Sequence, residues 1–266
     1  MIELSTLKHS NEDLGLIFKD QCWYVQKSIK EPILIQDNAH IIVSKGIHTS
    51  FIEIASDASI KLEVIEDAFV EYQMINSKNM KRNFKCYGTL NLMQICLEAT
   101  DESLEVHLLK EGASSKLELL SIMNQDDTVF HQQMNHLCPN TESNISNFGV
   151  TLDGASILYD TVGKIEKGMS KSKCVQLSKG IVLDDSSAVT SRPILLIDEY
   201  DVIANHGASI GKMSDDMLFY LMSRGLSKTD AFLLFLEGII SPFIAKIKEE
   251  KLQKLVNEKL KLLIKR

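Results

Sequence analysis

The chain has 266 residues, of which 44% are hydrophobic and 24% are charged, and its formal net charge is −7. This length can bury a sizeable core, in one large domain or in one domain with an appendage. The acidic balance argues against nucleic acid as a partner, because phosphate binding needs clustered Lys and Arg. The sequence contains no run of about 18 apolar residues, so it predicts no membrane span. Its N-terminus lacks the apolar core of a signal peptide. We therefore expect a soluble, cytoplasmic protein.

The five cysteines fit a reducing compartment, since their number is odd and none of them forms a C-x-x-C pair. Two of them are candidates for sulfur or metal chemistry. Cys174 follows the cationic Lys173, which could lower the pKa of its thiol, and Cys138 lies in a loop close to His136. The alternative for both cysteines is a small, buried structural residue.

Residues 1–32 are polar and irregular, and they predict a short N-terminal arm. Over residues 33–212, short runs alternate apolar and polar residues, which is typical of half-buried strands. Small residues at turns recur at intervals of 19, 30, 24 and 43, the last being about two turns of a repeat of roughly twenty-odd residues. Such a repeat suits a wound β-solenoid, although a β-sandwich also places short strands between turns. The residues that define these intervals are Ala39, Ala58, Gly88, Gly112 and Ala155.

The pattern becomes helical over residues 213–266. Ser214 and Ser227 are placed to cap two helices, and Gly225 suits the stop between them. Ser241 followed by Pro242 predicts the start of a third helix. The second helix is apolar on every face, so we expect it to be buried or covered by a partner.

His206 is the leading candidate for chemistry. Its neighbours Asn205 and Gly207 predict a turn, and a neutral imidazole is a good ligand for iron. The plainer alternative is a surface histidine that only hydrogen-bonds the backbone. A rival function is also open, because residues 206–211 resemble one turn of a hexapeptide-repeat acyltransferase, in which His206 would be the general base. Such enzymes repeat the unit many times, whereas this chain has one convincing copy.

Several motifs in the C-terminal half stand together at a characteristic spacing. Pro193 precedes His206-Gly207-Ala208, and Phe219-Tyr220-Leu221 and Ser223-Arg224-Gly225 follow. Upstream, His136-Leu137 is followed by Pro139-Asn140-Thr141-Glu142-Ser143 and by Gly149-Val150. Over roughly residues 131–244, this arrangement resembles the SufB/SufD family, the scaffold subunits of SUF iron–sulfur cluster assembly.

Single positions make the chain SufD-like within that resemblance. SufB proteins carry a cysteine six residues before the proline and a glutamate just after the histidine, where this chain has Ser187 and Gly207. SufD proteins often carry a cysteine two residues before the histidine, where this chain has Ala204. Family members usually have a longer N-terminal helical region, so we expect this chain to be shortened there.

The resemblance implies a mainly β fold, a right-handed parallel β-helix over residues 33–212 with a C-terminal α-helical region. It also implies a non-catalytic scaffold that pairs with a SufB-type subunit or with a second copy of itself. His206, with Cys174 and Cys138 as weaker candidates, would contribute to a transient iron–sulfur cluster shared with that partner. We expect no cluster to be tightly bound by this chain alone, because four thiolates do not converge in the sequence.

A second implied partner is a SufC-type ABC ATPase, which would bind to the C-terminal helices. The chain itself has no P-loop motif for a nucleotide. We expect Arg224 to be structural, with its guanidinium holding carbonyls or a carboxylate where the sheet meets the helices. The predicted docking residues are Phe219, Tyr220, Arg224, Phe232 and Phe243.

Overall fold

The computed structural model describes residues 1–7, 10–212 and 214–264, which form two β-sheets followed by three helices. The strands are β1 (Ile2–Glu3), β2 (Leu16–Lys19), β3 (Cys22–Val25), β4 (Ile33–Ile35), β5 (Ala39–Val43), β6 (His48–Glu53), β7 (Ser59–Val64), β8 (Phe69–Ile75), β9 (Lys81–Cys86), β10 (Thr89–Cys96), β11 (Asp101–Leu108), β12 (Ser114–Asn124), β13 (Asp127–His136), β14 (Glu142–Leu152), β15 (Ser156–Ile165), β16 (Lys173–Val182), β17 (Ala188–Ile197) and β18 (Ile203–Lys212). The helices are α1 (Asp215–Ser223), α2 (Lys228–Ile244) and α3 (Glu250–Ile264).

The chain winds so that successive strands alternate between the two sheets. The first sheet has the order β1-β4-β6-β8-β10-β12-β14-β16-β18, and the second has the order β17-β15-β13-β11-β9-β7-β5-β3-β2. Neighbouring strands in the described chain pair in parallel, except that β2 and β3 pair antiparallel. The predicted right-handed parallel β-helix with a C-terminal helical region is confirmed.

The coils lengthen along the chain. One coil takes 18 residues between Ile33 and Phe51 (51 − 33) and 31 residues between Ile145 and Gln176 (176 − 145). The interval of 43 between Gly112 and Ala155 was expected to be two turns, but it spans one and a half coils, from the start of β12 to the start of β15. Small residues stand at the start of strands in both sheets. The interval between two of them can therefore include an extra half coil as well as whole coils.

The sheets extend into the predicted N-terminal arm. Strand β3 pairs in parallel with β5, and β1 pairs in parallel with β4. Leu16, Trp23 and Val25 are buried in the same core as the following coils. Residues of the arm therefore cover the N-terminal end of the β-helix, where inward side chains would otherwise face water.

Two of the three predicted helix starts are confirmed. The Ser214 side chain accepts a hydrogen bond from the Met217 amide, and the Ser227 side chain accepts one from the Asp230 amide. The prediction that Ser241 and Pro242 open a third helix is wrong, because α2 continues through Pro242 and α3 begins at Glu250. Of the predicted helical region, residues 213, 265 and 266 lie outside the described residues.

Helices α2 and α3 pack on the outer face of the first sheet. Leu236 and Ile240 of α2, with Val256 and Leu260 of α3, are buried there. The strands of the first sheet offer a matching apolar surface on their outer face. In the later part of these strands, the residues that point outward are apolar, as the inward ones are. Those residues include Ile75, Ile95, Leu120, Ile122 and Val150. None of the helices in the described ranges is long and apolar enough to cross a membrane.

A buried cluster of charges lies between the two sheets. Arg82 donates from Nη2 to Glu53 Oε1 at 2.6 Å, and its Nη1 lies 3.2 Å from Glu102 Oε2. Tyr72 donates to the second oxygen of Glu53 at 2.8 Å. Burial acts to raise the pKa of Glu53, but the charge and hydrogen bonds of Arg82 outweigh it and lower that pKa. For Glu102, burial prevails over the attraction of Arg82 and raises the pKa.

A second polar cluster is centred on His136, which is fully buried near the end of β13. Its Nδ1 lies 2.8 Å from Thr141 Oγ1, and its Nε2 lies 2.8 Å from Ser143 Oγ. Burial lowers the pKa of His136 from 6.5 to about 4. The ring is therefore neutral in the folded chain at neutral pH.

Replacing Arg82 with Met should lower the free energy of unfolding by about 3–5 kcal/mol, because two buried carboxylates lose their shared cation. Urea denaturation measures the change. Lys85→Met is the matched control on the same strand, where the exposed ion pair with Glu63 should contribute less than about 1 kcal/mol. Equal losses for the two variants would contradict the importance of the buried cluster.

His136 should make the protein less stable in acid. Its folded pKa is below its unfolded value of about 6.5, so its contribution is complete above pH 6.5 and is lost as the pH falls towards about 4. Over that window the free energy of unfolding should fall by about 3 kcal/mol, at about 1.4 kcal/mol per pKa unit. Urea titrations at several pH values should show a shallower dependence for His136→Gln. A pH dependence as steep in His136→Gln as in the wild-type protein would contradict this assignment.

Candidate functional site

The C-terminal end of the β-helix is open. Strands β17 and β18 are the last strands of their sheets, and within the described residues each pairs on one side only. Both are ten residues long, so they present two parallel rows of free backbone N–H and C=O groups. Large apolar side chains are exposed around this end, and we call them the apolar collar. The collar consists of Leu177, Ile194, Leu196, Ile203 and Ile210.

His206 lies in the middle of β18, so its predicted position on a turn is wrong. The small neighbour that suggested a turn has a packing role, since a Cβ on Gly207 would lie 3.3 Å from Leu177 Cδ2. His206 is in register with Gln176 of β16, which is buried, so both side chains belong to the inward face of the sheet. The imidazole is exposed because no further coil covers it.

The interior beneath His206 is polar but uncharged, whereas the earlier coils combine mainly apolar side chains with the charged cluster around Arg82. Gln132 and Asn147 exchange two amide hydrogen bonds, of 3.1 and 2.8 Å. The side-chain oxygens of Thr161 and Gln176 are buried without a hydrogen-bond partner. The last coils therefore bury amides and hydroxyls where Leu, Ile and Phe fill the coils before them.

Cys174 is placed differently from the sequence-based expectation. It faces inward and is buried, whereas Lys173 faces outward, because adjacent residues of a strand point to opposite faces. Burial raises the pKa of the Cys174 thiol, so the expected lowering by Lys173 is wrong. The thiol fits against Gly163, where a Cβ would come within 2.4 Å of the sulfur.

Cys138 is partly exposed in the connection after β13. Its carbonyl oxygen accepts hydrogen bonds from the hydroxyls of Thr141, at 3.0 Å, and Ser172, at 3.5 Å. Cys22, Cys86 and Cys96 are buried. In the part of the chain that the structure describes, no three His, Cys, Asp or Glu side chains are grouped to hold a metal ion.

Helix α1 presents an apolar surface away from the β-helix. It packs against α2 and contains no buried residue among those described. Phe219 is 74% exposed and Tyr220 is 56% exposed, with Met217 and Met222 exposed beside them. Such a surface on a nine-residue helix is unusual unless a partner covers it.

The other predicted docking residues are less accessible or act differently. Arg224 is exposed, and its guanidinium carbon lies 5.3 Å from the centre of the Tyr220 ring. The expected role of Arg224 at the junction of sheet and helices is therefore wrong, because it stacks on its own helix. Phe232 and Phe243 are half-buried, and Phe243 packs against the core beneath α2 and α3.

Sequence reasoning missed two features of this end. The members of the apolar collar looked like ordinary strand residues, because an alternating pattern does not show which strand is last in its sheet. Gln176 was not singled out either, because β16 reverses the usual pattern: Gln176 and Ser178 are buried, whereas Leu177 between them is exposed. That break in the pattern was the available signal.

Comparison with known proteins places the chain in a family. A family model described as "SUF system FeS cluster assembly, SufBD core domain" matches residues 29–239. The chain is 38% identical over 125 residues to the iron–sulfur cluster assembly protein SufD of Bacillus subtilis, which covers 47% of this chain and 29% of that protein. It is 31% identical over 122 residues to SufB of the same organism, which covers 44% and 25%.

A longer match is to an iron–sulfur cluster assembly SufBD family protein of Staphylococcus saprophyticus. The two are 28% identical over 235 residues, which cover 79% of this chain and 50% of that protein. In these three matches the chain spans no more than half the length of its relative. The matched core domain comprises most of the β-helix with the open end and α1. The chain therefore belongs to the SufBD core family of SUF iron–sulfur cluster assembly, and within it is SufD-like.

Proposed function

We propose that this chain is a non-catalytic scaffold subunit that pairs through the open end of its β-helix during iron–sulfur cluster assembly. The observation that carries the proposal is the open end itself, with two free strand edges, the apolar collar and His206. Free edges of this length are templates for pairing with another sheet. Covering the collar would also remove exposed apolar surface from water, at about 25 cal/mol per Å².

The partner that fits best is a SufB-type subunit rather than a second copy of this chain. A second copy would bring another imidazole to the junction, while four of the five cysteines are buried and Cys138 lies in a connection. An iron–sulfur cluster needs about four ligands, chiefly thiolates. His206 supplies one nitrogen, so the thiolates would come from the partner, and the cluster is the transient product shared between the two.

The double substitution Leu196→Glu and Ile203→Glu should abolish pairing with a SufB-type subunit or weaken it at least about 10-fold. Charges on the apolar collar oppose burial of the neighbouring strand edges. Size-exclusion chromatography of the mixed subunits and of the chain alone measures pairing. The melting temperature should not change, since both side chains are exposed. Leu255→Glu, on the exposed face of α3, is the matched control. Pairing that survives the double substitution would contradict the assignment of this surface.

In the same experiment, the His206→Ala variant tests the role of His206 in cluster formation independently of subunit pairing. It should leave the paired subunits intact and slow the appearance of the cluster on anaerobic reconstitution. The isolated chain should retain no cluster after desalting. A cluster that the isolated chain retains in the His206→Ala variant, and loses when one cysteine is removed, would refute this role of His206.

We also propose that α1 docks a SufC-type ABC ATPase. Support comes from the two exposed aromatic side chains of Phe219 and Tyr220, which α2 and α3 leave uncovered while they pack on the first sheet. Movement of the ATPase would reach the open end through the short connection between α1 and β18, the strand that carries His206. Arg224, stacked on Tyr220, would lie at the edge of this contact.

Tyr220→Gln should weaken binding of the ATPase by about 10- to 100-fold, since burying an aromatic side chain contributes about 1.5–3 kcal/mol. Isothermal titration with the ATPase measures the affinity. The melting temperature should stay the same because Tyr220 is largely exposed, and Leu255→Gln should leave both quantities unchanged. Unaltered affinity of the folded Tyr220→Gln variant would mean that α1 is not the docking site.

The alternative function as an acyltransferase has less support. Its motif was the six-residue unit 206–211, and these residues instead form part of a ten-residue strand, in a β-helix whose coils reach 32 residues, from Gly163 to Leu195 (195 − 163). Membership of a cluster assembly family also favours a scaffold. Cytoplasmic location and the lack of a nucleic acid partner stay predictions from composition.

A further inference from the structure

The amide oxygen of Gln176 is buried beside His206 and has no hydrogen-bond partner. Gln176 is 2% exposed, and its Nε2 donates to the Ile194 carbonyl at 3.4 Å, while its Oε1 is unpaired. An unpaired buried acceptor destabilises the folded state, because its hydrogen bonds to water are lost and not replaced. Such an atom in a folded core calls for a physical reason.

An apolar residue would fill this position without that cost. In the two preceding coils the same inward column holds Leu117 and Ile145. The opposite sheet, moreover, leaves room for the amide through Gly163, where a Cβ would come within 3.1 Å of Gln176 Nε2. The φ of Gly163 is not positive, so the backbone does not require a glycine; its lack of a Cβ makes room for both the Cys174 thiol, which a Cβ would approach within 2.4 Å, and the Gln176 amide.

His206 is the neighbour of Gln176 on the open side of this column, and Ile145 is its neighbour on the other side. Gln176 and His206 are partners in the parallel ladder of β16 and β18, where strands lie about 4.8 Å apart. A long amide side chain and an imidazole on the same face at this spacing are within reach of each other. A neutral imidazole carries one N–H donor and one free lone pair, and the unpaired amide oxygen is an acceptor for that donor.

We infer that Gln176 is a positioning residue for His206. Once the exposed imidazole turns towards it, the unpaired amide oxygen accepts a hydrogen bond from one ring N–H and fixes the tautomer of the imidazole. The other ring nitrogen then keeps its lone pair towards the open end, where the partner subunit joins. Ligating histidines in metal sites are commonly oriented by such an acceptor. Because His206 is a ligand only under the proposed function, this role of Gln176 rests on that function.

The hydrogen bond can be tested on the full chain alone, labelled with ¹⁵N at its histidines. Spectra are recorded at about pH 8.5, and the His206 signals are those missing from His206→Gln. The wild-type chain should show one protonated and one unprotonated ring nitrogen. Gln176→Leu should give the averaged shifts of two tautomers, since leucine has no acceptor. Ser178→Ala, at the next inward position of β16, is the control that should leave the His206 signals unchanged.

The second readout uses the chain assembled with a SufB-type subunit and a SufC-type ATPase. There Gln176→Leu should slow cluster formation by about 10-fold without weakening pairing. Identical tautomer mixtures in the wild-type and Gln176→Leu chains would overturn the inference, whatever the rate of cluster formation. If the tautomer depends on Gln176 but neither Gln176→Leu nor His206→Ala slows cluster formation, the hydrogen bond stands and the proposed function falls.

Discussion

A coil of a β-helix is shielded from water only by the coils stacked on either side of it, and the rest of this structure depends on that constraint. At the N-terminal end, residues of the predicted arm continue the stack and bury Trp23 and Val25. At the C-terminal end nothing in the described chain does so, because α2 and α3 turn away onto the first sheet. Exposed strand edges, exposed apolar side chains and an accessible inward-facing histidine follow together from one uncovered coil.

Helices α2 and α3 pack on the first sheet, whereas α1 packs against α2, for a related reason. The outward residues of the first sheet are apolar over half of each strand, so the sheet needs a cover on that face, and α2 and α3 supply it. Lys246 and Lys248, just after α2, pair with Glu118 and Glu71 of that sheet. Helix α1 has no such face to cover, and it keeps Phe219 and Tyr220 available for another protein.

Polar groups enter the interior around Arg82, around His136 and near the open end. Around Arg82, the carboxylate of Glu53 is fully supplied with hydrogen bonds, which makes the cluster a structural element of the early coils. Near the open end, Gln176 and Thr161 keep unpaired oxygens. Unsatisfied buried groups are poor elements of stability. Buried atoms without a hydrogen-bond partner also occur in the Arg82 cluster, at Arg82 Nη1 and Glu102 Oε2, but those of Gln176 and Thr161 lie near the end that no described coil covers.

The sequence by itself determined the strand-rich β region and the helix caps at Ser214 and Ser227, because these depend on local pattern. The choice of a β-helix over a β-sandwich came from the motifs shared with the family, and the importance of His206 stays a prediction. Sequence reasoning placed His206 on a turn and started a helix at Ser241, since Gly207 and Pro242 have strong local preferences that packing overrides. Only the tertiary structure decided which strand is last, which residues form the apolar collar and which side chain stands beside His206. Those facts depend on register between strands about 30 residues apart, and no local pattern carries that register.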